Sequence, residues 1–191
     1  MGGNLRSGVS ARPCHRPVPT GSDTGWCCRG PFSAVAYALA GEERKAQELS
    51  SEVTKRRPED TLVQSVWVPL VSAIIELNHK NSAKAVQLLT ACALYDRTNL
   101  LVLFTRGRAY LHAGQGNEAA QEFQKVLALR NLSPTDLSLP LAQLGLARAY
   151  ALQGDTSRSR IAYHGFFALW KDADPDIPIL QQAKAEYAKL K

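Results

Sequence analysis

An all-α solenoid of stacked helix-turn-helix units is the fold class this sequence predicts, and three observations predict it. The stretch Leu141 to Trp170 reads as two amphipathic helices joined by a tight turn at Gly154-Asp155. The chain repeats that stretch in register, because Tyr110, Gly114, Ala119 and Phe123 stand forty residues before Tyr150, Gly154, Ser159 and Tyr163. A lone helix pair cannot bury its apolar stripe, so copies of it must stack, and a stack presents a surface.

Residues 1–31 are different material, rich in Gly, Pro, Ser, Thr and Arg with no apolar period before Phe32, and disorder is expected there. Arg6, Arg12, Arg16 and Arg29 against Asp23 give this tail a net +3, half of the chain's formal +6. The remainder is too evenly charged for a basic nucleic-acid stripe, and steering weakly favours an acidic partner. The tail lacks the continuous apolar core of a signal peptide, and no stretch approaches the ~20 apolar residues that span a bilayer. A cytoplasmic location is the default expectation. Cys14, Cys27 and Cys28, with His15 nearby, lack the paired spacing of a zinc site, so no metal is expected.

The earliest unit has Tyr37, Gly41 and Ala46, with Pro58 twenty-one residues after Tyr37. Its leading helix is cut short at Phe32, which predicts a truncated or mis-started reading frame. Asp60 or Thr61 is placed to cap the next helix. In the second unit Ala85 and Leu89 lie thirty-four residues before Ala119 and Phe123, Glu76 takes the tyrosine position and Lys80 the turn glycine's. Pro69 should kink or start its first helix, Trp67 is out of place, and Cys92 fills a small apolar core slot.

The third and fourth units are the clearest, and Thr135 or Asp136 should cap the fourth. There Leu141, Leu144, Leu146, Ala147, Tyr150, Ala151 and Leu152 make one stripe. Ile161, Ala162, Phe166, Phe167 and Trp170 make the other, with Arg158, Arg160 and His164 wet. Ala147 and Ser159 mark where backbones approach. Asp172, Asp174 and Asp176 alternate, but Ile177 and Ala183 stand where a calcium loop needs glycine and glutamate. A helix stop followed by an Asp176 cap is expected instead, then a final helix from Ile177 to Leu190 that covers the last unit.

Gly107, Tyr110, Ala119, Phe123 and Pro134, and again Ala147, Tyr150, Ser159, Tyr163 and Pro175, resemble the tetratricopeptide repeat, over about residues 34–175. The resemblance implies a right-handed superhelix with units at 32–58, 60–95, 98–132 and 136–172, and a cap at 176–191. The run RGRAYLHAGQGNEAAQEFQKVL and the sequence from LGLARAYALQG onward are also similar to the C-terminal repeat region of bacterial serine/threonine protein kinase-like proteins. That likeness implies a docking or regulatory segment whose catalytic domain lies elsewhere. This chain has no Gly-rich loop after a strand, no His-Arg-Asp catalytic loop and no Asp-Phe-Gly.

In tetratricopeptide arrays the first helix of each unit lines the concave groove, which implies Trp67, Leu70, Ile74, Leu101, Phe104, Arg108, His112, Leu141, Leu144 and Arg148 as partner-binding residues here. Arg108 and Arg148 share a register. Either they form a cationic pair for a carboxylate or phosphate on a bound peptide, or they snorkel and pair with acids such as Glu118, the reading we favour. Family members that bind chaperone tails use a lysine and asparagine clamp, whereas this chain has Phe104 and Arg108 at the matching places, so that activity is not expected. Neither catalysis nor a cofactor is expected: His15, His79, His112 and His164 are scattered, and Glu118 and Glu122 read as a solvated pair on one helical face. The expected function is non-catalytic binding of a protein or peptide, with no nucleic acid.

Overall fold

A computed structural model describes residues 30–97 and 99–190. The basic tail, with its expected disorder and with Cys14, His15, Cys27 and Cys28, otherwise lies outside the described residues. Those described form nine α-helices and no strand: α1 Pro31–Leu39, α2 Glu43–Arg56, α3 Val68–Asn78, α4 Ser82–Thr90, α5 Leu100–His112, α6 Gly116–Ala128, α7 Ser138–Leu152, α8 Thr156–Leu169 and α9 Pro178–Ala188. Consecutive helices pack in pairs, and α1, α3, α5 and α7 also touch one another in series. The result is the layered helix-pair solenoid that the periodicity predicts.

The four within-pair turns are chemically the same object. In each, an N–H just past the turn bonds a carbonyl five residues back: Glu42 to Tyr37 at 2.9 Å, Asn81 to Glu76 at 2.8 Å, Gln115 to Tyr110 at 2.9 Å and Asp155 to Tyr150 at 3.0 Å. This closure satisfies the last helical carbonyls and requires a left-handed residue before the closing N–H. Gly41, Gly114 and Gly154 supply it at φ +80°, +74° and +76°, and Lys80 is forced into it at +64°. The placement of Glu76 and Lys80 at the tyrosine and glycine positions of the second unit is therefore visible in the backbone itself.

Side chains cap some of the helix starts: Asp60 Oδ1 accepts from the Leu62 and Val63 N–H groups, and Asp155 from Arg158. Neither Thr135 nor Asp136 caps α7; Leu137 holds that position, and Asp136 Oδ1 accepts from the Ser138 N–H two residues on. Asp176 does not cap α9; extended Ile177 holds that position, with Pro178 as the first helical residue, and Asp174 Oδ1 accepts from the Asp176 N–H at 3.0 Å. Pro69 stands at the second position of α3, in the first turn where its missing N–H is tolerated, as the sequence predicts. A π-helical turn at Val63–Trp67 runs directly into α3, and this wider turn accommodates the missing N–H and the ring.

Two apolar clusters meet at α5, one shared by α1 to α5 and the other by α5 to α9. Phe123 lies in the second, against Gly107 of its own unit and Gly145 of the next; a Cβ on Gly145 would stand 2.5 Å from its ring. Ser159 Oγ donates to the Ala147 carbonyl at 2.9 Å, which explains a hydroxyl in a fully buried slot. Cys92 is also fully buried, and burial raises its thiol pKa.

Three expected surfaces are corrected. Glu122 is buried, its carboxylate taking Arg106 Nε at 2.9 Å and Nη2 at 2.6 Å, while Asp96 and the Leu89 carbonyl hold the rest of the guanidinium. Burial alone would lower the pKa of Arg106, but the hydrogen bonds to Asp96 and Glu122 raise it. Ile161 and Leu152, read as stripe residues, are 71% and 55% exposed, since no helix covers their side of the fourth pair.

Candidate partner-binding groove

A groove of about 900 Å³ opens along α1, α5, α7 and the π-helical turn that leads into α3, with Ile179 of α9 also in its lining. Seven of the ten expected residues line it: Trp67, Leu101, Phe104, Arg108, Leu141, Leu144 and Arg148. Leu70 and Ile74 do not; α1 and α5 close over α3 from both sides and leave them 0% and 1% exposed. His112 sits one turn beyond Arg108, at the surface and off the lining.

The sequence reading missed a set of apolar side chains at the mouth. Phe32 is 66% exposed with its ring 4.6 Å from that of Trp67, and Leu137 is 76% exposed. Leu39 joins them from the far end of α1. The signal was present: Phe32 and Leu39 are seven residues apart on one helix, which places them on one face. Large apolar groups grouped around a concavity mark an interaction surface rather than scattered surface residues.

Charge in the groove is asymmetric. Arg148 makes a fork-on pair with Glu186 of α9, at 2.9 and 3.0 Å, and Tyr163 donates to the same carboxylate at 2.9 Å. Burial and the Glu186 hydrogen bond push the Tyr163 phenol well above its ordinary range. Arg108, one unit earlier, meets no carboxylate among the described residues; its guanidinium lies 5.9 Å from the centre of the Phe104 ring. Burial, then the like charge of Arg148, lowers its pKa, and the same two influences with Arg108 foremost among the charges lower that of His112. Glu118, the acid expected to pair with either arginine, is exposed and bonded to neither.

Other polar groups at the rim are already occupied by the chain. The Asn99 side chain accepts from the Val102 N–H at 3.2 Å, and Asp136 accepts from Ser138 at 2.8 Å. No group of three or more His, Cys, Asp or Glu side chains with metal-binding geometry occurs among the described residues, and no helix among them is long and apolar enough to cross a membrane.

The chain matches no family model. Over 94 residues, 49% of its length, it is 33% identical to a tetratricopeptide repeat and J domain-containing co-chaperone of Fusarium oxysporum f. sp. lycopersici. This chain is similar to a tetratricopeptide repeat protein. The matched part is 17% of that co-chaperone, so the chain spans a small fraction of its relative's length.

Proposed function

We propose that this chain is a tetratricopeptide-type interaction module that binds a protein or peptide, without catalysis, in the groove lined by α1, Trp67, α5 and α7. On this reading the repeat units run 32–58, 60–95, 98–132 and 136–172, with 176–191 as the cap. The observation that carries the reading is the groove itself: an apolar concavity, rimmed by exposed Phe32 and Leu137, with one cation, Arg108, that meets no carboxylate among the described residues. The repeat-containing co-chaperone relative supports the same class of role. An acidic partner suits Arg108, and the Phe104–Arg108 combination does not reproduce the lysine and asparagine clamp for chaperone tails.

The test is a crosslinking pull-down with the full chain against its Arg108→Glu and Leu141→Glu variants, using Arg44→Glu on the exposed face of α2 as control. A protein retained by the wild type and the control, and lost from both groove variants, supports the reading. If no protein is lost selectively from the groove variants, the reading fails. The alternative, a regulatory segment of a bacterial serine/threonine kinase, rests on the likeness of the two C-terminal sequence runs. Its test is translation of the adjoining genomic sequence, where kinase motifs must appear.

A further inference from the structure

We infer that the groove receives an amphipathic helix of a partner protein, and that one carboxylate on the helix's apolar face pairs with Arg108. This rests on the interaction-module reading above and specifies what that module takes.

The carboxylate follows from the two arginines of the groove. Arg148 is completed by Glu186, which α9 presents beside buried Leu180 and Ala183. The chain itself thus displays the chemical complement of this register: a helix with an apolar face and one acid. Arg108 occupies the same position one unit earlier, partly buried and without any carboxylate among the described residues. A half-desolvated guanidinium with no acceptor is a poor resting state, and an incoming carboxylate relieves it through two parallel hydrogen bonds.

The helix follows from what the lining lacks. An extended peptide needs partners for its own N–H and C=O groups, each costing about 1–3 kcal/mol if buried without one. The apolar floor at Trp67, Leu101, Phe104 and Leu141 offers none. Apart from the two arginines, the polar side chains of the lining gather at Asn99 and along 133–138, where Asn99 Oδ1 and Asp136 Oδ1 already hold backbone N–H groups of this chain. A helix satisfies its backbone internally and needs only an apolar stripe with one acid.

A displayed library of random 14-residue peptides, selected against the full chain and separately against its Arg108→Met and Leu141→Glu variants, tests this. Methionine keeps the apolar stem of Arg108, and circular dichroism confirms that each variant remains helical. On the wild type, enriched peptides are expected to carry apolar residues at i, i+3, i+4 and i+7 with Asp or Glu on the same face. Changing that acid to Asn or Gln should weaken binding at least tenfold, and Arg108→Met should abolish the difference. Enriched peptides with alternating apolar residues or internal proline overturn the helix. An acidic preference that persists on Arg108→Met, or none on the wild type, overturns the ion pair. Both results leave the interaction-module reading standing if Leu141→Glu still loses the peptides. If no peptide is enriched, or enrichment is the same on Leu141→Glu, the module reading falls together with this inference.

Discussion

Lys80 shows how closely single residues of this chain answer to backbone geometry. Three of the four within-pair turns place glycine in the left-handed region, and the fourth places Lys80 there at φ +64°. A Cβ in that conformation costs about 1–2 kcal/mol, so Lys80→Gly is expected to stabilise the fold by roughly 1 kcal/mol and raise the midpoint of a thermal melt by several degrees. The side chain is exposed and its loss removes no core packing, so a lower midpoint would contradict the turn assignment. Gly145 responds to a different constraint. It is helical, and what forbids a side chain is the Phe123 ring, 2.5 Å from where a Cβ would stand. Gly145→Ala should therefore lower stability by about 1–3 kcal/mol despite alanine's better helix propensity, a result that urea titration would register as a lower midpoint at unchanged slope.

At the scale of elements, Arg106 of α5 is the chief polar fastening between the second and third helix pairs. It reaches Glu122 on α6, Asp96 in the connection after α4 and the Leu89 carbonyl at the end of α4. Removing Glu122 leaves the buried guanidinium with Asp96 as its remaining counter-charge among the described residues, so Glu122→Ala should cost up to about 3–5 kcal/mol. Glu118→Ala, four residues earlier and exposed, should cost less than ~0.5 kcal/mol. Equal losses in chemical denaturation would mean that the Arg106 network holds nothing together. The spacing of the two glutamates suggested equivalent wet positions, but a helical period does not say which edge of the wet face a neighbouring helix will reach. Asp96 directly follows a three-residue 3₁₀ turn, Ala93–Tyr95, that sequence periodicity does not register.

Across the whole molecule, α9 is the last of the described helices and packs on the fourth pair. It buries Leu180 and Ala183, sets Tyr187 edge-on to Tyr163 at 5.8 Å between ring centres, and satisfies Arg148 through Glu186. Deleting residues 176–190 re-exposes that surface. Burial of Leu180 alone is worth about 1.5–3 kcal/mol, so the shortened chain should melt lower and self-associate through its open end. Thermal melts with light scattering check this; a truncated chain that stays monomeric with an unchanged midpoint would show that α9 is not a cap.

The sequence by itself determined the elements and their order. A positive-φ residue closing each turn, a capping aspartate before some helices and a stripe at helical period are all local requirements, and local chemistry is what a sequence states openly. It also placed seven of the ten groove residues, because register carries from one repeat to the next. Tertiary structure alone decided which stripe residues stayed dry. Leu70 and Ile74 vanish beneath α1 and α5, while Ile161 and Leu152 remain in water. It decided, too, that Arg148 meets an acid while Arg108 meets none among the described residues, since Glu186 is thirty-eight residues from the arginine it pairs with. Burial and charge pairing depend on what a different segment brings alongside, and a helix's own period carries no record of that.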